Sequence, residues 1–354
     1  MEFACYHNWE ALPASADALF AQTARDSIFF SRPWFENLHR HAPAQHQQLR
    51  LACVLEGTQV LAILPLEMRS EQHWYALTNL YSSLYTLLLA DDAQQAVIDC
   101  LALGLSRLPF RALRLDPIAA DDPQVSRLEQ AMVALDMNCQ RRFRFYNWIH
   151  RTNGQRFEDY LQARPARLRN TLARKQRKLS REHGYMIRLY TDRDLPLALQ
   201  DYDAVYQKSW KANELYGEFI EGLTQQLAEQ GWLRLAILYI KNQPVAAQFW
   251  FVVHGRASIF KLVYDQQWGH YSPGSILSSY LMAQVIDNEQ VSEIDFLTGN
   301  DSYKQDWMSE RRERQVLYCI KQTKPKRGTE RLREWLRGFI QRVTTRLAHD
   351  VFTL

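Results

Sequence analysis

Apolar residues recur along this chain in two patterns, one typical of helices and one typical of strands. Spacings of three and four residues predict helices near 14–24, 34–41, 93–107, 125–135, 195–211 and 218–230, and another after Gly274. Short apolar runs between polar turns predict strands near 84–89, 113–116, 142–149, 185–190, 258–264, 293–297 and 315–321. The two patterns alternate, so the chain is predicted to be an α/β protein with mixed sheets.

One pair of strands around a polar turn occurs twice, once in each half of the chain. The residues LRLA at 49–52 lead through a turn at 56–59 into VLA, and LRLA at 233–236 lead through 241–244 into VAA. Each pair predicts a β-hairpin, and the copies lie about half the chain apart. The flanking elements repeat as well, so each half has the predicted order β-α-α-β-β-β-α-β-α-β. We therefore expect two related sheets side by side, in domains 1–150 and 151–325, followed by a tail at 326–354.

The composition of the chain limits the class of protein and the kinds of site that it can contain. With 354 residues, 47% of them hydrophobic and 23% charged, the chain is typical of a globular protein with two domains. Its net charge of +4 is too small to predict a partner. The 5 cysteines are scattered without a Cys-x-x-Cys pair, which argues against a zinc site or disulfide framework and favours a reducing cytoplasm. The sequence has no bilayer-length apolar stretch, no signal-peptide pattern and no metal-ligand spacing.

The turn Ser272-Pro273-Gly274 predicts the start of an amphipathic helix. Serine is a favoured N-cap, proline fits the first helical position, and glycine lets a ligand approach the backbone. The unpaired first-turn N–H groups, up to Ser275, would favour an anion such as a pyrophosphate. The alternative is an ordinary capped helix without a ligand. Two aspartates stand at the matching turn of the first half and would repel a phosphate, so only the second half is expected to keep this site.

A carboxylate interrupts the apolar run 293–297 at Asp295. Charged groups are rarely placed in such a run unless they are paired or functional. Tyr303 and Lys304 follow in a short predicted helix over 302–307, beside the same strand ends. These side chains are predicted to form a candidate site, with the alternative that Asp295 simply pairs with Lys304 or Lys261.

Two basic segments of the sequence indicate where an anionic partner would bind. Residues 164–181 contain eight lysines or arginines and no acidic residue, and Leu168, Leu172 and Leu179 form an apolar seam. This helix, expected over 164–182, is either a solvated linker or a site for an anion such as tRNA, a nucleotide-linked sugar or cofactor phosphates. It lacks the interleaved aromatic residues typical of single-strand nucleic-acid binding, which disfavours tRNA. A basic amphipathic pattern at 331–347 predicts a helix that docks on its own domain or lies on an anionic inner-membrane surface.

The second half resembles the GNAT-related family associated with cellulose and exopolysaccharide biosynthesis, the CelD type. The matching segments are Lys208-Ser209-Trp210, PVAA at 244–247, Tyr264-Asp265, Ser272-Pro273-Gly274, DFLTG at 295–299 and Tyr303-Lys304. The chain is also similar to the Fem family, double-GNAT transferases that move an aminoacyl group from tRNA to a peptidoglycan precursor. The matching parts there are residues 169–184 and the segment YKQDW at 303–307. The resemblance implies tandem GNAT-like domains.

The resemblance also implies a mechanism. An acyl thioester such as acetyl-CoA would lie between the strands 258–264 and 293–297, with no metal, and an acceptor amine would attack its carbonyl. Lys304 would stabilise the oxyanion, Tyr303 would protonate the leaving group, and Asp295 would orient Lys304 or assist proton transfer. Cofactor contacts are expected from Ser272, Pro273, Gly274, Ser275, Val263 and Asn300. Substrate contacts are expected from Trp210, Glu214, Tyr264 and His270.

One departure from the family pattern keeps alternatives open. The loop GHYSPG at 269–274 differs from the usual GNAT phosphate loop, because Pro273 removes one N–H donor. The first hypothesis is an acyl-CoA-dependent N-acyltransferase acting on an amine of a sugar or small molecule, in polysaccharide or cell-envelope biosynthesis. The second is an aminoacyl-tRNA-dependent, Fem-like transferase. The third is a non-catalytic GNAT module in a polysaccharide assembly complex.

Overall fold

The computed structural model describes residues 1–41, 48–211 and 214–322. The tail predicted at 326–354, with its amphipathic pattern at 331–347, lies outside the described residues. Within them the strands are β1 (Glu2–Tyr6), β2 (Gln48–Glu56), β3 (Gln59–Ser70), β4 (His73–Ala76), β5 (Leu88–Leu89), β6 (Ala112–Ala119), β7 (Met137–Arg151), β8 (Met186–Tyr190), β9 (Leu233–Ile240), β10 (Gln243–Val253), β11 (Arg256–Tyr264), β12 (Glu293–Thr298) and β13 (Glu310–Lys321). The α-helices are α1 (Ser15–Thr23), α2 (Arg32–Arg40), α3 (Gln95–Arg107), α4 (Pro123–Ala134), α5 (Phe157–Gln162), α6 (Ala166–Glu182), α7 (Leu195–Gln207), α8 (Gly217–Glu229), α9 (Pro273–Ala283) and α10 (Lys304–Trp307).

The predicted α/β class and the repeated element order are confirmed. Both hairpins form, as β2–β3 and β9–β10. In the second turn Lys241 and Asn242 have φ angles of 49° and 63°, the left-handed conformation that a tight two-residue hairpin requires. The third strand of the first half was predicted in the wrong place: it is β4, and the region 84–89 forms only the short β5 beside β3.

The two halves exchange their last strands, so the expectation of two separate sheets was wrong. A single sheet runs β1-β2-β3-β4-β6-β13-β7-β12-β11-β10-β9-β8. The last strand of the second half, β13, lies between β6 and β7, while β7 of the first half pairs with β12 and β13. The exchange gives β6 and β12 each a hydrogen-bonded neighbour from the other half, and the pairing of β7 with β13 joins the two halves into one sheet. The boundary predicted near residue 150 falls at the end of β7.

The three central strands are joined by the side chain of Asn147, which is fully buried on β7. Its Nδ2 donates to Asp295 Oδ1 at 2.5 Å and to the Leu297 carbonyl of β12 at 3.0 Å. Its Oδ1 accepts from Arg312 Nε at 3.1 Å and from Arg314 Nη2 at 3.0 Å, both on β13. The side-chain amide of Asn147 therefore links β7 to β12 through its NH2 group and to β13 through its carbonyl oxygen, where the exchanged strands meet.

The halves also share a hydrophobic core. Trp34 of α2 packs edge-to-face on Phe219 of α8, with ring centroids 5.4 Å apart, and Phe29 contacts Phe251 of β10 in the same way at 6.4 Å. Asn37 of α2 donates to the Phe219 carbonyl at 3.0 Å. The first half therefore packs directly against the second half and stabilises it.

The other face of the second half is covered by α6 and α9. Of the predicted apolar seam of α6, Leu172 and Leu179 are buried, while Leu168 is half-buried. The basic side chains Arg174, Arg177 and Arg181 are exposed on the outer surface of this helix. The predicted helix is therefore formed with its apolar seam packed inward and part of its charge in solvent.

The expectation that the cysteines are unpaired was wrong for two of them. Cys139 on β7 and Cys319 on β13 lie opposite each other and form a disulfide. They are 180 residues apart in the chain and become neighbours only through the strand exchange. Cys5, Cys53 and Cys100 are free.

We predict that Asn147→Ala lowers the free energy of unfolding by about 2–4 kcal/mol, because it leaves buried partners on β12 and β13 unsatisfied. The matched control is Asn138→Ala on the same strand, where the side chain is exposed and the change should stay within about 0.5 kcal/mol. Urea denaturation of both variants measures the difference. Equal destabilisation by the two substitutions would contradict the role given to Asn147.

Candidate active site

A cavity opens where β11 and β12 diverge. The two strands pair in parallel only over Arg256–Ser258 and Glu293–Asp295. Beyond this point the residues that follow on each strand line a cavity of about 760 Å³, together with the start of α9, α6, α10 and the segment after α7. This is the gap between strands in which the resemblance placed an acyl donor.

The divergence is accompanied by a bulge in β12. The register between β12 and β7 shifts between Asp295 and Thr298, and Leu297 has a φ angle of 53°, which is uncommon for a side chain of this kind. Asp295 Oδ1 accepts the Leu297 N–H at 2.6 Å, and its Oδ2 accepts from Arg312 Nη2 at 3.1 Å. Asp295 is therefore a positioning residue of the bulge.

The alternative in which Asp295 simply pairs with Lys304 or Lys261 is not formed, and Asp295 does not hold Lys304 by an ion pair either. Lys304 is 4% exposed and donates to the carbonyls of Phe296 at 3.2 Å and Thr298 at 2.5 Å, on the two sides of the bulge. Its ammonium also lies 3.5 Å from Asp301 Oδ2. Burial lowers the pKa of Lys304, partly opposed by Asp301. The bulge brings two carbonyls to one point, and these bind the ammonium in place of the Asp295 carboxylate.

Tyr303 lies at the cavity beside Lys304. Its ring is 44% exposed and packs edge-to-face on Phe296, with centroids 5.8 Å apart. Burial of the hydroxyl group, and to a lesser degree the nearby Asp301, raises the pKa of Tyr303 to about 12. The phenol is therefore protonated at neutral pH and can donate a proton or a hydrogen bond into the cavity.

Two further lysines make the cavity cationic. Lys261 of β11 is buried and its Nζ lies 2.6 Å from Glu214 Oε2, while the other oxygen of Glu214 accepts from Tyr81 of the first half. The ammonium of Lys211 has neither a hydrogen bond nor an ion pair with any residue in the described part of the chain. Burial, and then repulsion from Lys261 and Lys304, lowers the pKa of Lys211 to about 8.

Aromatic and basic side chains form the outer part of the same cavity. The rings of Trp210 and Tyr264 lie 4.6 Å apart, and Trp210 is 49% exposed. Arg167 of α6 pairs with Asp306 of α10 at 3.2 Å but keeps 85% of its side chain exposed. The outer cavity therefore combines flat apolar surfaces with positive charge, a combination suited to a ligand with phosphates and a planar group.

The start of α9 differs from the prediction. Ser272 has a φ angle of 56° and its side chain makes no capping hydrogen bond. Its carbonyl accepts the N–H groups of both Ser275, at 3.1 Å, and Ile276, at 3.2 Å. Pro273 has no N–H and is buried, as is Gly274, and only Gly274 and Ser275 of the four predicted residues line the cavity. The expected row of free amides is therefore not formed, because the left-handed Ser272 tightens the first turn.

Three other predicted contact residues do not line the cavity. Val263 is fully buried in the core, because the alternation of β11 turns it away from Leu262 and Tyr264. Asn300 Oδ1 accepts from Trp148 Nε1 at 2.8 Å. His270 lies in the 3₁₀ turn before α9, where its Nδ1 is 3.2 Å from the Gln267 carbonyl.

The structure therefore brings together Lys304, Tyr303, Gly274, Ser275, Trp210 and Tyr264, with Glu214 at the edge through Lys261. Sequence reasoning missed Lys211 and Arg167 as parts of the site, and it considered Lys261 only as a partner for Asp295. The position of Lys261 inside the otherwise apolar strand 259–263 was a sequence signal that could have predicted its place in the site. No sequence pattern marked Lys211, because it enters the cavity from the end of a different helix.

The first half has a smaller cavity in the equivalent place. Strands β4 and β6 pair in parallel over 73–75 and 112–114, and a cavity of about 290 Å³ lies beyond that point. Its arginines already have carboxylate partners: Arg69 pairs with Glu67, and Arg114 and Arg144 pair with Asp116. The duplicated geometry is thus kept, but with its charges paired internally.

Comparisons with known proteins agree with this architecture. Residues 166–305 match the family described as acetyltransferase (GNAT) domain. A search of curated proteins finds no match. Among solved structures, FemX is similar with a TM-score of 0.60 at 10% identity, covering 90% of this chain and 97% of that one. A tandem GNAT protein from the clavulanic acid biosynthesis pathway is similar with a TM-score of 0.50 at 12% identity, covering 92% and 99%.

A third similar structure is the C-terminal domain of a putative lysylphosphatidylglycerol synthetase from Agrobacterium fabrum. Its TM-score is 0.54 at 11% identity, with 87% of this chain and 93% of that chain covered. At such identities the likeness concerns the fold, which is that of tandem GNAT-like domains. The match of residues 166–305 to the acetyltransferase (GNAT) domain supports an acyltransferase.

Among residues 1–41, 48–211 and 214–322 there is no cluster of three potential metal-ligating side chains. In the same part of the chain, none of the helices combines the length and the apolar character needed to cross a membrane.

We predict that Lys211→Met stabilises the protein at pH 7. The pKa of Lys211 is about 8 in the fold against an ordinary 10.5, so below pH 8 the lysine is charged in both states and folding carries the penalty of its burial. Removing the charge should raise the free energy of unfolding by up to about 3 kcal/mol. The gain should shrink as the pH rises from 8 towards 10.5, as measured by urea denaturation. A gain independent of pH would contradict the assignment.

Proposed function

We propose that this protein is an N-acyltransferase that moves an acyl group from coenzyme A to an amine held in the cavity between β11 and β12. One observation carries the proposal: the strands diverge at Ser258 and Asp295 into a large cavity with three chemically useful groups. These are the ammonium of Lys211, which has no partner among the described residues, the ammonium of Lys304, which is held by backbone carbonyls, and the protonated phenol of Tyr303. The match of residues 166–305 to the acetyltransferase (GNAT) domain supports an acyl donor of this class.

The fit of the donor depends on which groups meet its phosphates. The start of α9 offers little, because the Ser275 and Ile276 amides are already bonded to the Ser272 carbonyl. Lys211, whose ammonium has no partner in the described part of the chain, and the exposed guanidinium of Arg167 are the groups that fit phosphate oxygens. Trp210 and Tyr264 would stack on a planar ring. The donor's phosphates are therefore assigned to side chains of the outer cavity.

The chemical step uses the inner cavity. The acceptor nitrogen forms a bond with the acyl carbon, the carbon–sulfur bond of the donor breaks, and the amine loses one proton to water in the open cavity. Lys304, fixed by two backbone carbonyls, supplies positive charge near the developing oxyanion. Tyr303 donates its proton to the departing sulfur and regains one from the water that took the amine proton, and its raised pKa of about 12 keeps the phenol protonated at neutral pH.

The acceptor is proposed to be an amine of a sugar or small molecule. The open cavity reaches Leu80 and Tyr81 of the first half, so an acceptor entering from this side would contact both halves of the chain. The resemblance to the CelD type supports a role in polysaccharide or cell-envelope biosynthesis. Asp301 and Asp306 are the carboxylates that line this cavity and would meet an acceptor amine or hydroxyl group, whereas both oxygens of Glu214 are already bonded to Lys261 and Tyr81.

A second candidate is transfer from aminoacyl-tRNA. The observation that favours it is the position of α6: its first turn lines the cavity through Arg167, and Arg174, Arg177 and Arg181 continue as an exposed basic surface. An RNA backbone could follow such a surface while its 3′ end enters the cavity. The reduced number of free amides at α9 also removes the feature that most favours a pyrophosphate there.

We predict that acetyl-CoA binds this protein and that Lys211→Glu weakens binding at least about tenfold, because a cation that meets phosphate becomes an anion. The matched control is Lys241→Glu, in the exposed turn between β9 and β10, which should leave the dissociation constant unchanged. Isothermal titration calorimetry measures all three proteins. If the wild type gives no heat with millimolar acetyl-CoA, the coenzyme A proposal is wrong.

The two donors are separated by nuclease treatment. We expect acyl transfer to amine acceptors, followed by mass spectrometry, to continue unchanged after RNase digestion. Loss of transfer after digestion would instead favour the tRNA-dependent candidate. In that case the double variant Arg174→Ala/Arg177→Ala should weaken tRNA binding and reduce its salt dependence, while leaving any acetyl-CoA binding intact.

A further inference from the structure

A second cavity lies on the opposite face of the sheet, directly behind the divergence of β11 and β12. It has a volume of about 250 Å³ and is lined by Ser258 and Asp295, whereas the active-site cavity is lined by the next residues, Ile259 and Phe296. Successive residues of a strand point to opposite faces, so the two cavities are separated by the sheet itself. The first half closes this second cavity with the 3₁₀ turn at 28–30 and residues 83–84.

Arg314 points into this cavity without a carboxylate partner. It is 3% exposed, and its Nε and Nη2 donate to the Ser83 carbonyl at 3.2 Å and to Asn147 Oδ1 at 3.0 Å. Within the described residues no carboxylate oxygen lies within 4.0 Å of its guanidinium, and Nη1 has no hydrogen-bond partner. Burial lowers the pKa of Arg314 to about 10. The carboxylates of Asp295, Asp121 and Glu293 raise this pKa only in part, so the charge of Arg314 is incompletely compensated, which makes an anion the expected complement.

The carboxylates around the cavity do not meet this need. Both oxygens of Asp295 are occupied by Asn147, the Leu297 N–H and Arg312. Asp26 and Asp121 also line the cavity but are exposed to solvent. The remaining cations are already paired: Arg256 and Arg312 with Glu293, and Arg151 with Glu310. The deep part of the cavity therefore presents hydrogen-bond donors.

We propose that this cavity binds a small oxyanion, a carboxylate or a phosphate, through Arg314 Nη1 and the Ser258 hydroxyl. Ser258 is 4% exposed and its hydroxyl makes no hydrogen bond with the described residues, so it is free to donate. The cavity is several times the volume of a water molecule, about 30 Å³ in the liquid, which suits an ion of this size better than a nucleotide. Asp26 and Asp121 are exposed residues of the cavity lining, and their negative charge favours the monoanionic form of phosphate, or a carboxylate, over the phosphate dianion.

The site is independent of the proposed donor and acceptor. A ligand there would contact the residue pair Ser258 and Asp295, the last pair before β11 and β12 diverge, and residues of both halves. Its binding would therefore stabilise the junction between the halves, and this effect is measurable without any transferase activity.

The experiment follows thermal unfolding and isothermal titration with sodium phosphate and with sodium acetate, each against sodium chloride at equal ionic strength. We expect a saturable rise in Tm for the wild type with one or both oxyanions, which also separates the two ligand chemistries. Arg314→Gln should weaken binding at least about tenfold, because it removes a charge-assisted hydrogen bond. Arg234→Gln is the matched control, since Arg234 is another largely buried arginine, paired with Glu289 away from this cavity.

Two more variants keep the outcome decisive if Arg314→Gln does not fold. Ser258→Asp puts a negative charge inside the cavity and should abolish the rise in Tm, whereas Lys211→Ala in the other cavity should leave it unchanged. The proposal is overturned if phosphate and acetate both act no differently from chloride. It is also overturned if the effect survives Ser258→Asp or disappears in Lys211→Ala, which would assign the anion to the lysine-lined cavity.

Discussion

The side-chain amide of Asn147 satisfies buried groups on both strands that flank β7, and the centre of the sheet is organised around it. An exchange of strands between two halves requires that β7, β12 and β13 meet in one fixed register. Backbone pairing alone specifies register weakly, since a strand can slip along its neighbour. Asn147 removes this freedom, because its hydrogen bonds reach Asp295 and Leu297 on one side and Arg312 and Arg314 on the other. A slip would leave several buried polar groups without partners.

The active-site cavity follows from this anchoring. The same Asp295 that binds Asn147 also accepts the Leu297 N–H and so holds the bulge of β12. The bulge aims the carbonyls of Phe296 and Thr298 at one ammonium, which fixes Lys304 at the wall of the cavity. The carboxylate of Asp295 and the side chains of Tyr303 and Lys304, which are close in sequence, are thus divided between two faces of the sheet. Asp295 acts on structure, while Tyr303 and Lys304 line the cavity.

Positive charge in the cavity comes from side chains more than from a helix terminus. The left-handed Ser272 draws two amides of α9 inward, so the dipole end of this helix has few free donors. Burial lowers the pKa of Lys211, Lys261 and Lys304, and repulsion from the other two lysines lowers the pKa of Lys211 further. Lys261 pairs with Glu214 and Lys304 with Asp301, whereas the ammonium of Lys211 lacks a partner among the described residues.

Sequence by itself determined the elements and their duplication, because hairpins, helices and strands are specified by local periodicity and by turn residues such as those at 241–242. It also determined the neighbourhood of the site, since Tyr303, Lys304 and the start of α9 follow β12 and β11 closely in the chain. Only the tertiary structure decided the single sheet with exchanged strands, the pairing of Cys139 with Cys319, and the partners of Asp295. The exchanged strands, the disulfide and the hydrogen bond between Asp295 and Asn147 join residues more than a hundred positions apart, for which local pattern carries no information. The entry of Lys211 into the cavity was decided in the same way, by the packing of a helix end against strands remote from it in sequence.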